Sequence, residues 1–200
     1  SAPLPGRFWR FWTLLVLCVA FEFGVIYWAA EYLQDRGFVT SAAAPLGLSA
    51  FFLAMLIGRA AGTRLAGRVG ERPLLFASLG LALAGFFAYW LGEAAWPQFG
   101  GLFLTGLGIA NLYPLAISLA LGSVPGPLSR ASARASLGSG LAILMAPFAL
   151  GALADLSSLR AAQAALPLLL VVAALNVVWA TRAPATPAAL ASAPSRKGSA

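Results

Sequence analysis

FWTLLVLCVAFEFGVIYWAAEYL, the stretch from Phe11 to Leu33, decides the class of this protein. It contains no basic residue, and its only acidic residues are Glu22 and Glu31. A helix rises about 1.5 Å per residue and the hydrocarbon core of a bilayer is about 30 Å thick, so about 20 apolar residues cross it. The stretch therefore predicts a membrane-spanning helix.

Further apolar stretches of similar length follow, separated by short charged or Pro/Gly-rich connections. They run over Ala42–Ala66, Pro73–Leu91, Phe99–Leu121, Ala135–Ala154 and Ala161–Thr181. The composition agrees, because 60% of the 200 residues are hydrophobic and only 10% are charged, whereas soluble chains are about a quarter charged. Continuous apolar runs indicate helices rather than the alternating strands of a β-barrel. We predict an all-α, polytopic membrane protein with six transmembrane helices in one bundle over residues 1–182.

The composition also argues against several classes of function. The chain has no His and a single cysteine, Cys18, so we predict no disulfide framework, no metal site and no cofactor. The net charge of +7 would suit nucleic acid, but the arginines lie between the apolar stretches rather than along one polar face. No Gly-rich phosphate loop ending in Lys-Ser or Lys-Thr occurs. We therefore expect neither a nucleic-acid partner, nor an enzyme, nor ATP as the energy source.

The basic residues predict the orientation of the helices. Of the 13 Lys and Arg residues, only Arg36 and Arg160 lie on one side of the predicted bundle. The positive-inside rule therefore places both termini in the cytoplasm, at the plasma membrane, and places Trp12 and Trp28 in the two aromatic belts. Residues 183–200, rich in Ala, Pro and Ser, predict a disordered cytoplasmic tail. Because residue 1 is Ser rather than Met, we expect the sequence to begin within a longer chain. The basic residues of the cytoplasmic side are Arg7, Arg10, Arg59, Arg64, Arg68, Arg72, Arg130, Arg134, Arg182, Arg196 and Lys197.

Glu22 lies halfway along the first predicted helix, near the midplane of the bilayer. A carboxylate at this depth costs several kcal/mol unless it faces a cavity, has a partner or takes up a proton, and such acids commonly mark proton or ion pathways. A proton-coupling role is the favoured interpretation. The alternative is a protonated Glu22 that hydrogen-bonds a backbone carbonyl and only holds two helices together.

Asn111 is a second polar residue at midplane depth, in the stretch GLGIANLYP that ends at Pro114. Pro114 cannot donate to the carbonyl of Ala110, so a kink is expected beside Asn111 and Tyr113. These two residues and Tyr27 are the candidate solute contacts. The alternative, of equal weight for Asn111, is an amide that links two helices. Pro147 predicts a second kink, with no polar side chain beside it.

The string Gly58-Arg-Ala-Ala-Gly62-Thr-Arg-Leu-Ala-Gly67-Arg68-Val-Gly70-Glu-Arg72 runs from the second predicted helix into a short cytoplasmic turn. It resembles the signature loop of the major facilitator superfamily, in which Gly, Leu-Ala-Asp-Arg, Gly and paired basic residues join the second and third helices of each six-helix half. Gly62, Leu65, Ala66, Arg68, Gly70 and Arg72 match that pattern. Gly67 replaces the family's Asp, a departure that is common in C-terminal halves. Gly58 and Arg59 belong to the same candidate loop.

The resemblance implies one half, the C-terminal one, of a twelve-helix secondary transporter. In that family the first and fourth helices of each half line the central path, which are the helices that hold Glu22 and Asn111. The implied function is gradient-driven transport of a small solute by alternating access, with protons, the bilayer and the other six-helix half as partners. The competing hypothesis is a six-helix membrane scaffold or complex subunit that transports nothing.

Overall fold

A computed structural model describes residues 3–182. Over this range the chain folds into helices only. They are α1 (Gly6–Asp35), α2 (Ala44–Val69), α3 (Glu71–Leu91), α4 (Ala95–Ile109), α5 (Leu112–Leu121), α6 (Ser129–Leu156), α7 (Leu159–Gln163) and α8 (Ala165–Arg182). The predicted tail, residues 183–200, lies outside the described residues.

The described helices include six segments that are long and apolar enough to span a membrane. The predicted fold class, half of a major-facilitator-type bundle, is therefore confirmed. The fourth segment combines α4 and α5, and the sixth runs from α7 into α8. Most helices extend past the predicted apolar limits; α6, for example, begins at Ser129 rather than at Ala135. Hydropathy detects only the part within hydrocarbon, whereas backbone hydrogen bonding continues into the polar layer where arginines are stable.

The segments alternate in direction, so the bundle has two distinct ends. The end where α1 begins also holds the α2–α3 turn and the α5–α6 connection; we call it the basic end, because Arg7, Arg72 and Arg130 lie there. The α1–α2, α3–α4 and α6–α7 connections lie at the opposite end. The midplane lies between these two ends, about half-way along α1 and α2.

Small residues allow α4 to pack closely between α2 and α3. A Cβ added at Gly106 would overlap the Phe51 carbonyl oxygen of α2, and one at Gly101 would overlap the Tyr89 backbone of α3. In a bilayer, helices associate through such close van der Waals packing, because lipid is as apolar as the side chains. This layer positions Asn111, at the end of α4, against α2.

Helix α1 is held against α6 by two tryptophans. Trp12 Nε1 donates to the Arg134 carbonyl at 2.8 Å, and its ring covers Gly138, where a Cβ would lie 2.6 Å from the indole. Trp28 Nε1 donates to the Pro147 carbonyl at 2.9 Å. Both indoles therefore form hydrogen bonds across the contact between α1 and α6. Helix α6 also continues through Pro147 without a break, so the predicted kink does not interrupt this helix.

Candidate functional site

Glu22 lies on the face of α1 that carries mostly buried side chains, yet its own side chain is only half-buried. Its neighbours one turn away, Cys18 and Val25, are 2% and 0% exposed. Glu31, by contrast, is exposed and points to the opposite side of α1. The Glu22 carboxyl therefore lies on the inward-facing side of α1 but is still partly exposed.

Arg59 of α2 is a basic residue whose charge acts on the Glu22 carboxyl group. The sequence analysis assigned Arg59 to a cytoplasmic loop. In the structure α2 continues to Val69, so Arg59 lies inside the helix, about 15 Å from its end at the usual helical rise. It is exposed, and it follows the buried Met55 by one turn. The arginine therefore lies in the membrane-spanning part of α2.

A shared contact at the opposite end shows that Glu22 and Arg59 lie at the same depth. Leu33 of α1 fills the space above Gly47 of α2, where a Cβ would lie 2.6 Å from the leucine Cδ1. From this contact Glu22 is about 17 Å back along α1 and Arg59 is about 18 Å along α2. The two helices thus hold a carboxyl and a guanidinium at similar depths, within electrostatic range of each other.

Asn111 connects α2 with the break in the fourth segment. The helix is interrupted at residues 110 and 111, between α4 and α5. Asn111 is 9% exposed, and its Nδ2 donates to the Gly58 carbonyl at 3.0 Å. A Cβ at Gly62 would overlap the Asn111 amide, and one at Gly58 would lie 2.6 Å from the Ala110 Cβ. Gly58 and Gly62 of the signature string therefore form the helical surface on which Asn111 packs.

The other candidate solute contacts do not converge on one point. Tyr113 is half-buried and packs against the core, and Pro114 beside it is exposed. Tyr27 is 62% exposed and lies about 140° around α1 from Glu22, at about 100° per residue. Its ring is near Phe23, with centroids 6.5 Å apart. Among the candidate residues, Glu22 interacts electrostatically with Arg59, and Asn111 binds the carbonyl of Gly58, the residue next to Arg59.

The turn at the basic end consists of a single residue. Gly70 has φ 84° and ψ 161°, and it separates α2 from α3. Arg68 lies in the last turn of α2 and Arg72 in the first turn of α3, both exposed. Glu71 accepts a hydrogen bond from Ser118 Oγ of α5 at 2.7 Å. The turn is thereby tied to the fourth segment, which also carries Asn111.

A separate cavity of about 370 Å³ lies between α1, α6 and α8. Its lining is apolar and includes Val16, Ala20, Ala146 and Leu169. It contains neither Glu22 nor Arg59, so it offers no polar group that could orient a charged solute. Within residues 3–182, no group of three or more Asp, Glu, Cys or His side chains is placed to hold a metal ion.

The comparison with protein families agrees with this architecture. The family model described as Major Facilitator Superfamily matches residues 7–199. The chain belongs to the major facilitator superfamily. Transporters of this superfamily are generally not enzymes, which is consistent with a bundle that offers a polar pair between helices.

Curated relatives carry transporter or membrane-protein names. The chain is 32% identical over 133 residues to an uncharacterized transporter of Sinorhizobium fredii (66% of this chain, 35% of that protein). It is 29% identical over 179 residues to an uncharacterized MFS-type transporter of Yersinia pestis (86% and 46%). It is 33% identical over 108 residues to the membrane protein MosC of Rhizobium meliloti (54% and 26%). The chain thus spans less than half the length of these relatives.

Sequence reasoning missed one feature of the site. It placed Arg59 by its charge and by its motif at the cytoplasmic side, although the predicted helix Ala42–Ala66 includes it. The hydrogen bonds of the Trp12 and Trp28 indoles to backbone carbonyls of α6 also leave no sign in the hydropathy of the sequence.

Proposed function

We propose that this chain is the C-terminal six-helix half of a secondary transporter that moves a small solute across the plasma membrane by alternating access. The family and the names of the relatives support membrane transport. The relatives are more than twice as long as the segments matched, which leaves room for a second half. The degenerate signature string, with Gly67 in place of Asp, favours the C-terminal position.

The second half would contact α2 and α6. Leu53 and Leu56 of α2 are 54% and 67% exposed, and Leu144 and Phe148 of α6 are 69% and 73% exposed. Apolar faces of this kind are covered by lipid or by another protein surface. The extra length of the relatives favours the protein surface. In this arrangement Glu22 and Arg59 would face a central path between the halves.

Glu22 is the proposed proton-coupling residue. Three features support this role: the midplane depth, the half-buried side chain, and the electrostatic interaction with Arg59. A carboxyl in this setting can take up a proton from one side of the membrane and release it to the other when the path reopens. The energy for solute movement would then come from a proton gradient.

Of the candidate solute contacts, we propose Tyr113 as the one that meets the solute. The Asn111 amide holds α2 against the break in the fourth segment by its hydrogen bond to Gly58. Because Gly58 precedes Arg59, we propose that this bond helps to position Arg59. Tyr27, on the other side of α1 from Glu22, remains a prediction from sequence. The basic end is proposed to face the cytoplasm, because the arginines are concentrated there.

The proposal depends most on Glu22, the acidic residue half-way along α1, and the Glu22→Gln variant tests it. We expect the variant, in the full-length protein reconstituted into vesicles, to lose gradient-driven accumulation of solute while solute exchange persists. Gln keeps the shape of the protonated acid but cannot release a proton. Uptake of radiolabelled solutes with and without a pH gradient gives both rates.

Glu31→Gln is the matched control, since Glu31 is exposed on the opposite face of α1; it should keep both activities. Accumulation at the native level in Glu22→Gln would remove Glu22 from the mechanism. Loss of exchange together with accumulation would indicate a role in binding or folding. A wild-type protein that accumulates and exchanges no solute would favour the scaffold hypothesis.

A further inference from the structure

We propose that Arg59 binds an anionic group of the transported solute, and that the solute is a small monovalent carboxylate carried together with one proton. This inference rests on the proposed transport function and names its substrate class. It starts from the placement of the two charges: Glu22 on α1 and Arg59 on α2 lie at similar depth on adjacent helices, close enough for the charge of Arg59 to act on the Glu22 carboxyl.

Arg59 is available for a ligand. Among residues 3–182, the structure records no hydrogen bond and no ring contact for its guanidinium, whereas Arg10 stacks on Trp179 and donates to its carbonyl. An arginine far from the membrane surface is costly unless an anion neutralises it or it faces a water-filled cavity. Glu22 supplies the negative charge within electrostatic range.

The planar guanidinium matches a carboxylate geometrically, because two of its N–H groups can donate in parallel to the two oxygens. A solute carboxylate that approaches Arg59 is repelled by ionised Glu22. Once Glu22 is protonated, this repulsion disappears. The solute carboxylate can then replace the Glu22 carboxylate as the negative charge that interacts with Arg59. The proton and the anion therefore enter the site together.

The net charge of the site explains why one proton and one anion should move together. The empty site holds one positive and one negative charge, and so is neutral. The site loaded with both a proton and a monovalent anion is neutral as well. Binding only one of them leaves a net charge at mid-depth, which is expensive in a bilayer. Only the empty and the doubly loaded forms are therefore expected to change conformation readily. No bond in the solute forms or breaks, and the proton passes from water on one side to Glu22 and then to water on the other side.

Other titratable groups near Glu22 do not change this count. On α1 the nearest is the buried Cys18 thiol, which interacts with Glu22, and α5 contributes only Tyr113. Apart from Arg59, the charged residues of the other helices that pack on α1 lie nearer the helix ends; they are Arg64, Arg68, Arg130, Arg134, Asp155, Arg160 and Arg182.

The test uses the full-length protein in vesicles with radiolabelled lactate and gluconate as anions, glucose as the neutral partner of gluconate, and choline as a cation. We expect a pH gradient, acidic on the side of entry, to drive accumulation of a carboxylate, and a membrane potential alone to drive none. Accumulation of glucose or choline instead would overturn the anion assignment while the transport function stands. Absence of accumulation of both carboxylates would overturn the anion proposal, whereas the transport function is judged separately by the uptake and exchange of other solutes in the Glu22→Gln experiment.

Variants of Arg59 supply the second readout. Arg59→Gln should raise the KM for the carboxylate more than tenfold, and Arg59→Lys, which keeps the charge but not the paired N–H groups, should raise it less. Arg64→Gln, an exposed arginine on the same helix, is the matched control and should leave KM unchanged. An unchanged KM in Arg59→Gln would refute the proposal. If Arg59→Gln is not recovered as folded protein, the KM of Arg59→Lys is the test. A KM equal to that of the wild type in Arg59→Lys would then refute the proposal.

Discussion

Asn111 illustrates how a polar residue is accommodated at mid-depth. Its amide is nearly enclosed, and its Nδ2 is satisfied by the Gly58 carbonyl. This carbonyl already takes part in the α2 helix, but a carbonyl oxygen has two lone pairs and can accept twice. Gly62 makes the approach possible because any side chain at this position would collide with the amide.

The contact between Gly62 and Asn111 can be tested by substitution. Gly62→Ala should destabilise the protein by about 1–3 kcal/mol, because overpacking forces α2 away from Asn111. Adding Asn111→Ala should restore part of the loss, so that the double variant is more stable than the sum of the single effects predicts. Thermal unfolding in detergent measures all three variants.

Gly80→Ala is the control for Gly62→Ala, because nothing lies within 4 Å of a Cβ at Gly80 of α3. It should leave the midpoint temperature unchanged or slightly higher. Strictly additive effects of Gly62→Ala and Asn111→Ala would show that the two residues are not coupled.

At the level of elements, α2 is the helix whose role changed most between sequence and structure. It continues to Val69, so the signature string is helical up to that residue, with Gly58 and Gly62 on the face that packs against Asn111, and Gly70 alone reverses the chain. The backbone of Gly70, at φ 84° and ψ 161°, lies in a region open almost only to glycine.

Gly70→Ala should therefore cost about 1–3 kcal/mol from backbone strain alone, since the space around its Cβ is open. We expect reduced transport with little loss of membrane insertion, measured as uptake per inserted protein. Gly67→Ala, a helical glycine with nothing within 4 Å of its Cβ, should behave as wild type. Equal activity of the two variants would make the turn a simple spacer.

At the level of the whole molecule, the distribution of arginines predicts that the basic end faces the cytoplasm. Ser41 in the α1–α2 connection and Ser129 at the start of α6 are both exposed and lie at opposite ends of the bundle. Cys18, the sole cysteine of the sequence, is 2% exposed, so a thiol reagent should label the unmodified chain only weakly.

We expect a membrane-impermeant maleimide to label Ser41→Cys in intact cells and Ser129→Cys only after permeabilisation. The two substitutions are chemically the same, so each serves as the control for the other. The reverse pattern would invert the proposed orientation, and with it the direction in which the proton on Glu22 moves.

Six helices of membrane length, the place of Glu22 half-way along the first of them and the family all follow from the order of apolar, charged and glycine residues along the chain. The sequence does not show which helix faces contact one another. The helices are apolar on nearly all sides, since lipid and protein interior favour the same side chains, so periodicity gives no buried face. The folded chain places Glu22 within electrostatic range of Arg59, joins Asn111 to Gly58 and turns Trp28 towards Pro147. These contacts depend on the rotation and spacing of neighbouring helices, which close packing at glycines decides.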